Sequence, residues 1–267
     1  MSTNILAKIV AQKFVEVAER KKQISIGELE AMPLFTKAGY SLKSNLVDPY
    51  KTGIIAEFKR QSPSKGIINN TALVHEVTKA YSDFGASGIS VLTDTHFFGG
   101  SLDDLAIAVK NTTPVLRKEF IIDEFQIIEA KAYGASVILL IASCLTPAET
   151  KLLSATAKQL GIEVLLEIHD ETEMEHICDE IDFVGVNNRS LKSFEVNIEH
   201  SLQLRSRLPK NKLSIAESGI YDLATFQLLK KEGFDGFLMG EYFMKQADPA
   251  KAFELFASQI KSSSHAI

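Results

Sequence analysis

Eight short runs rich in apolar and β-branched residues, at 54–57, 88–92, 114–118, 136–141, 163–167, 183–187, 213–217 and 235–239, alternate with helix-patterned stretches along this chain. That rhythm leaves few folds open. Successive runs begin about 20 to 35 residues apart, the length that one strand and its crossover helix need. Between them, 73–84, 125–133, 147–160 and 223–232 carry apolar residues at helical spacing. Gly85, Gly134, Gly161 and Gly233 stand just past helix ends, where a left-handed residue stops the helix before the next strand. Eight such units predict a parallel (β/α)8 barrel, the TIM barrel. A doubly wound sheet is the rival, but no GxGxxG follows the first run. With 267 residues, 45% of them apolar, the chain can bury one large core, and no low-complexity linker divides the series. The barrel is predicted as one domain over 49–267.

Residues 1–48 precede any strand and read as a helical extension packed on the barrel. Ile5, Ile9, Val10, Phe14 and Val17 recur at helical spacing, and Arg20, Lys21 and Lys22 suit the negative end of that helix dipole. Ser25 and Glu28 form a capping box that starts a second short helix near 28–32. The apolar stripe of the first helix needs a partner, most simply one end of the barrel. A lid over the mouth, excluding water from a charged site, is the expected role.

Chemistry-bearing residues in such a barrel collect at the C-terminal ends of the strands. Here Glu57 and Lys59 end the first strand, Thr93 and Asp94 the second, and Lys118 the third. Glu167 ends the fifth, Asn187 and Asn188 the sixth, and Glu217 with Ser218 the seventh. Glu57 and Lys59 are two apart, so both point to one face, into the barrel. Their reading stays open between chemistry and a structural ion pair at the rim. Ser218-Gly219 and Gly240-Glu241 follow the last two strands and each precedes a helix, which exposes backbone N–H groups to a phosphate. The Glu241 carboxylate would repel phosphate there unless it turns away. Phe98 and Phe120 supply an aromatic wall near the mouth, with Leu139 and Leu191 as companions, although phenylalanine at a strand end is more often core. His169 follows Glu167 by two and reads as a satisfied loop residue.

The balance of charges excludes some classes. Net charge is −5, with 29 basic residues spread along the chain, which speaks against a nucleic-acid surface. Cys144 and Cys178 lack metal-ligand spacing and read as free thiols of a reducing cytoplasm. No apolar run reaches the roughly 18 residues of a membrane span. No metal and no cofactor is expected, and the site suits proton transfer on a phosphorylated carbonyl compound.

Long motifs then carry a resemblance. Ile-Ala-Glu-Phe-Lys-Arg-Gln-Ser-Pro-Ser-Lys-Gly (55–66), Val-Leu-Thr-Asp (91–94), Phe-Phe-Gly-Gly-Ser (97–101), Leu-Arg-Lys-Glu-Phe-Ile (116–121), Leu-Leu-Glu-Ile-His (165–169), Gly-Val-Asn-Asn-Arg (185–189) and Ala-Glu-Ser-Gly-Ile (216–220) resemble the indole-3-glycerol-phosphate synthase family. So does the leader with Ile5-Leu6 and Lys13. The resemblance implies a (β/α)8 barrel with an N-terminal helical extension, acting in tryptophan biosynthesis without a cofactor. It implies ring closure of 1-(2-carboxyphenylamino)-1-deoxy-D-ribulose 5-phosphate to indole-3-glycerol phosphate, with loss of carbon dioxide and water. Lys118 would be the general acid at the ribulose carbonyl and Glu167 the base for dehydration. Glu57 would orient the lysines, Lys59 would anchor an anionic group, and Asn187 and Glu217 would position. Ser62, Phe98, Phe120, Leu139, Arg189 and Leu191 would bind substrate, and Ser218, Gly219, Gly240 and Glu241 (through its backbone) the phosphate. Glu241 departs from the serine that many relatives carry, and no fused isomerase domain is expected. The implied state is a cytoplasmic monomer or weak homodimer. A catalytically silent sugar-phosphate binder would lack Lys118 or Glu167, and another phosphosugar isomerase would not need the Glu57, Lys118, Glu167 set.

Overall fold

A computed structural model describes residues 5–189 and 195–264 of the chain. Its ten strands run β1 (Ile54–Phe58), β2 (Gln61–Ser62), β3 (Gly66–Ile67), β4 (Gly88–Leu92), β5 (Val115–Lys118), β6 (Val137–Ile141), β7 (Glu163–Ile168), β8 (Phe183–Asn187), β9 (Leu213–Glu217) and β10 (Gly236–Met239). Eight of them close a barrel in the order β1-β10-β9-β8-β7-β6-β5-β4, every pair parallel. β2 and β3 form a separate antiparallel hairpin in the loop after β1. Each barrel strand falls within a residue or two of its predicted run, because a fully buried parallel strand shows as an unbroken apolar segment. Positive φ at Gly85, Gly134, Gly161 and Gly233 realises the four predicted helix stops.

The helices are α1 (Ile5–Gln23), α2 (Ile26–Glu30), α3 (Leu42–Val47), α4 (Val74–Asp83), α5 (Leu102–Ala108), α6 (Glu124–Ala132), α7 (Pro147–Gln159), α8 (Ile198–Arg205), α9 (Leu223–Lys231), α10 (Glu241–Met244) and α11 (Pro249–Ser264). Between β7 and β8 the chain makes only a six-residue 3-10 helix, Glu171–His176. Met174 is its one apolar residue, so no 3.6-residue stripe is available to hold an α-helix against the barrel.

Period-two alternation splits the core into two layers. Ile54, Ala56 and Phe58 face outward and pack with the helices, together with Ile89, Val91, Val164 and Leu166. Ile55, Leu116, Leu139, Leu165, Phe183, Ile215 and Leu238 fill the barrel interior.

The leader wraps the barrel from top to bottom. The capping box of Ser25 and Glu28 is present at α2, and Leu29 and Val17 pack with Phe125 and Ala132 on the flank. α3 then inserts Leu42 into the interior layer from below, beside Ile55 and Leu116. Glu163, at the entry to β7, accepts from the Ser41 hydroxyl (2.6 Å) and the Leu42 N–H (2.7 Å), which fixes this floor helix. α1 lies at the mouth, the end expected for it, and α3 seals the floor. Within α1 the predicted stripe is corrected at one position. Phe14 is 61% exposed, whereas Lys13 is buried at 3%.

Candidate active site

The alternation that builds the interior also delivers its charges. Two residues beyond Ile55, Leu116, Leu165 and Ile215 stand Glu57, Lys118, Glu167 and Glu217, all pointing inward at the C-terminal end of the barrel. They line a cavity of about 190 Å³ together with Lys59, Ser62, Phe98, Phe120, Leu139, Asn187, Arg189, Ser218, Gly219, Gly240 and Glu241. All the predicted site residues except Leu191 thus meet in one pocket. Leu191 lies outside the described residues.

Lys118 occupies the centre. Its ammonium lies 2.7 Å from Glu217 and 3.2 Å from Glu167. Burial pulls its pKa down, but the carboxylates of Glu217, Glu167 and Glu57 outweigh that and hold the ammonium well above the ordinary lysine range. The two carboxylates behave differently. Burial opposes ionisation of Glu167, yet the Lys118 cation, His169 and the Asn187 amide hold its pKa below the usual range. Asn187 donates to Glu167 Oε1 at 3.1 Å. Burial pushes Glu217 up, with the Glu167 anion adding to it against Lys118. One proton placed on Glu217 relieves the repulsion between two carboxylates that share one lysine. Lys59 pairs with Glu57 at 2.6 Å, forming a second cation and carboxylate on the adjoining wall. Two glycines let the carboxylates lie where they do: a Cβ on Gly185 would sit 2.1 Å from Glu217 Oε1, and one on Gly240 would sit 2.7 Å from Glu57 Oε1.

The apolar wall forms as expected. The Phe98 and Phe120 rings pair at 5.9 Å between centroids, and Ile5, Leu6 and Ile9 of α1 face the same cavity. Across the barrel, Ser218 adopts φ 66°, a left-handed conformation unusual for a residue with a side chain. The Asn188 amide donates to its carbonyl at 2.6 Å and helps to hold that turn. The Glu241 side chain lines the cavity and pairs with Arg189 at 3.2 Å, while Gly240 starts α10 with no side-chain cap over its N–H groups. Among the described residues, no group of three or more His, Cys, Asp or Glu is arranged to hold a metal ion. Nor is any helix among them long and apolar enough to cross a membrane.

His169 is the residue that sequence reasoning passed over. Its Nε2 lies 3.2 Å from Glu167 Oε1, an ion-pair distance without hydrogen-bond alignment, and its Nδ1 lies 3.4 Å from Glu173. Ser143 contacts both Nδ1 and Glu173. The spacing of two from Glu167 and of four from Glu173 was the available signal, but Ser143 reaches it only through the fold. Burial lowers the imidazole pKa, but the two glutamates raise it to about 10. Because the folded state then binds this proton more tightly than the unfolded chain, the stabilisation is complete below about pH 6.5. It fades as pH rises through about 10. The stability difference between wild type and His169→Gln in urea unfolding should therefore be larger at pH 6 than at pH 10. A pH-independent difference would remove the ion-pair account.

A closed (β/α)8 barrel whose mouth holds a lysine between two glutamates, beside aromatic and apolar walls, defines an acid–base site for a small organic ligand. The model of the indole-3-glycerol phosphate synthase family matches residues 6–256, and the chain belongs to that family. Indole-3-glycerol phosphate synthase of Bacteroides thetaiotaomicron is 43% identical over 97% of this chain and 99% of that protein. The enzyme of the same name from Polynucleobacter asymbioticus is 40% identical over 96% and 100%. Among solved structures, the tryptophan synthase alpha chain of Legionella pneumophila superposes with a TM-score of 0.60 at 14% identity, covering 85% of this chain and 96% of that one. That likeness concerns the fold alone.

Proposed function

We infer that this chain is a decarboxylating lyase of tryptophan biosynthesis, closing 1-(2-carboxyphenylamino)-1-deoxy-D-ribulose 5-phosphate to indole-3-glycerol phosphate. The observation that carries the reading is the Lys118 ammonium held between Glu167 and Glu217 in a pocket with a paired-phenylalanine wall, within a chain that matches the family along nearly its whole length.

In this reading the aryl ring lies against Phe98, Phe120 and Leu139. Lys59 anchors the ring carboxylate, and Glu57, 2.6 Å away, orients that lysine. As the ring carbon attacks the ribulose carbonyl, the oxygen gains negative charge, and Lys118 donates the proton that neutralises it. Loss of carbon dioxide restores electrons to the ring. Glu167, kept as an anion by Lys118 and His169, then removes the substrate C–H proton while a lysine ammonium of the site protonates the hydroxyl, which leaves as water, and the indole becomes aromatic. Asn187 fixes Glu167, and Glu217 fixes Lys118. The phosphate sits at the Ser218-Gly219 and Gly240-Glu241 backbone, with Arg189 beside it and Ser62 at the lip. The same reading carries a monomer or weak homodimer working in the cytoplasm. Purified protein given the carboxyphenylamino substrate should develop indole fluorescence. Unchanged substrate would refute the reading.

A further inference from the structure

Lys13 sits on the leader helix, outside the barrel, yet only 3% of it is exposed. Its ammonium lies 2.9 Å from Asp94, 3.0 Å from Glu119 and 2.6 Å from Glu16. Burying a cation with three carboxylates is expensive unless every charge finds a partner, and an arrangement of this kind needs a reason beyond docking a helix.

The carboxylates supply one. The second oxygen of Asp94 accepts the backbone N–H groups of Phe97 (2.7 Å) and Phe98 (3.1 Å). Glu119 accepts the N–H of Phe120 at 2.9 Å and the Thr93 hydroxyl at 2.8 Å. Phe98 and Phe120 are the two rings of the pocket wall. One ammonium thus neutralises both carboxylates that fix the backbone beneath both rings. Ile5, Leu6 and Ile9 lie one to two turns earlier on the same helix face and reach into the same cavity.

We propose that Lys13 is a positioning residue for aryl recognition: by bridging Asp94 and Glu119 it clamps the leader helix over the mouth and holds Phe98 and Phe120 as a slot for an aromatic ring. This rests on the functional reading above. Without the Lys13 cation, Asp94 loses its ion-pair partner and Glu119 keeps only the Arg117 guanidinium at 3.9 Å. Asp94 must then take a proton or swing toward water and Glu119 is drawn toward Arg117, and either change loosens a phenylalanine backbone. The sugar-phosphate end is held across the barrel at the loops after β9 and β10, so it does not depend on Lys13. Arg20 provides the internal comparison. It docks the same helix through Glu129 at 2.7 Å, two turns further along and away from the pocket.

The test compares two inhibitors of the turnover assay: indole-3-glycerol phosphate, which carries the ring, and ribulose 5-phosphate, which does not. Lys13→Met should weaken the first roughly tenfold or more while moving the second less than about twofold. Arg20→Gln should leave the ratio of the two constants at its wild-type value. Equal weakening of both ligands by Lys13→Met, or an unchanged ratio, would reduce Lys13 to a fold-maintaining group and overturn the proposal. If circular dichroism shows that Lys13→Met does not fold, Glu119→Gln reads the same ratio. It keeps the cation neutralised by Asp94 and Glu16 and should shift the ratio in the same direction by roughly threefold; no shift would again overturn the proposal. A wild-type protein that forms no indole product would sink the functional reading first, so the two failures are distinguishable.

Discussion

Lys118→Met is expected to slow ring closure roughly 10²–10⁴-fold, the usual worth of a positioned general acid. Methionine keeps the bulk and removes the proton. The carbonyl oxygen would then gain charge in a buried site with Glu167 and Glu217 nearby and their shared cation gone, the opposite of what that step needs. The variant should still fold. Once the cation is absent, burial and mutual repulsion raise the carboxylate pKa values, and the pair takes up a proton. Circular dichroism and a stopped-flow measurement of substrate loss in a single turnover separate these effects. A folded Lys118→Met protein with wild-type closure rate would show that another group supplies the proton, and Lys59, 2.6 Å from Glu57, would be the first candidate.

Glu167→Gln should produce a different failure. Glutamine keeps the shape but has a single carbonyl oxygen, so it can accept from Asn187 or from Lys118 but not, as Glu167 does, from each on a separate oxygen, and it cannot accept a proton. Closure and decarboxylation should proceed, while dehydration falls roughly 10²–10⁴-fold. In a single turnover, carbon dioxide release should run ahead of indole absorbance, and a non-aromatic intermediate should accumulate. Carbon dioxide and indole appearing together would assign the dehydration base elsewhere. The substitution also removes the anion that raises Glu217, so Lys118 keeps Glu217 as its carboxylate partner. That change leaves its ammonium in place, which is why the first step should survive.

The readable part of this protein is the part set by local periodicity. All eight barrel strands showed as apolar runs because both faces of a parallel strand are buried. Glu57, Lys118, Glu167 and Glu217 could be placed on the inner face because alternation along a strand is fixed by backbone geometry. The α3 floor helix was not read: one turn and a half carries too little pattern, and Leu42 declares itself only by what it touches. The 3-10 turn at 171–176 was not anticipated either, since counting units predicts a crossover without fixing its helix type.

The misplacement of Phe14 on α1 shows the limit most clearly. Hydropathy put Phe14 inward, but the structure exposes it and buries its neighbour Lys13. A lysine is buried only where carboxylates wait for it, and Asp94 and Glu119 are far away in sequence. Lys118 likewise meets Glu167 and Glu217 across 49 and 99 residues. The sequence alone determined the barrel, its order and which side chains turn inward, because those follow from repeats of two and of 3.6 residues along one chain. Only the tertiary structure decided which charges meet and that Lys13 rather than Phe14 is buried on the leader, because Coulomb and desolvation energies depend on separation and burial in space.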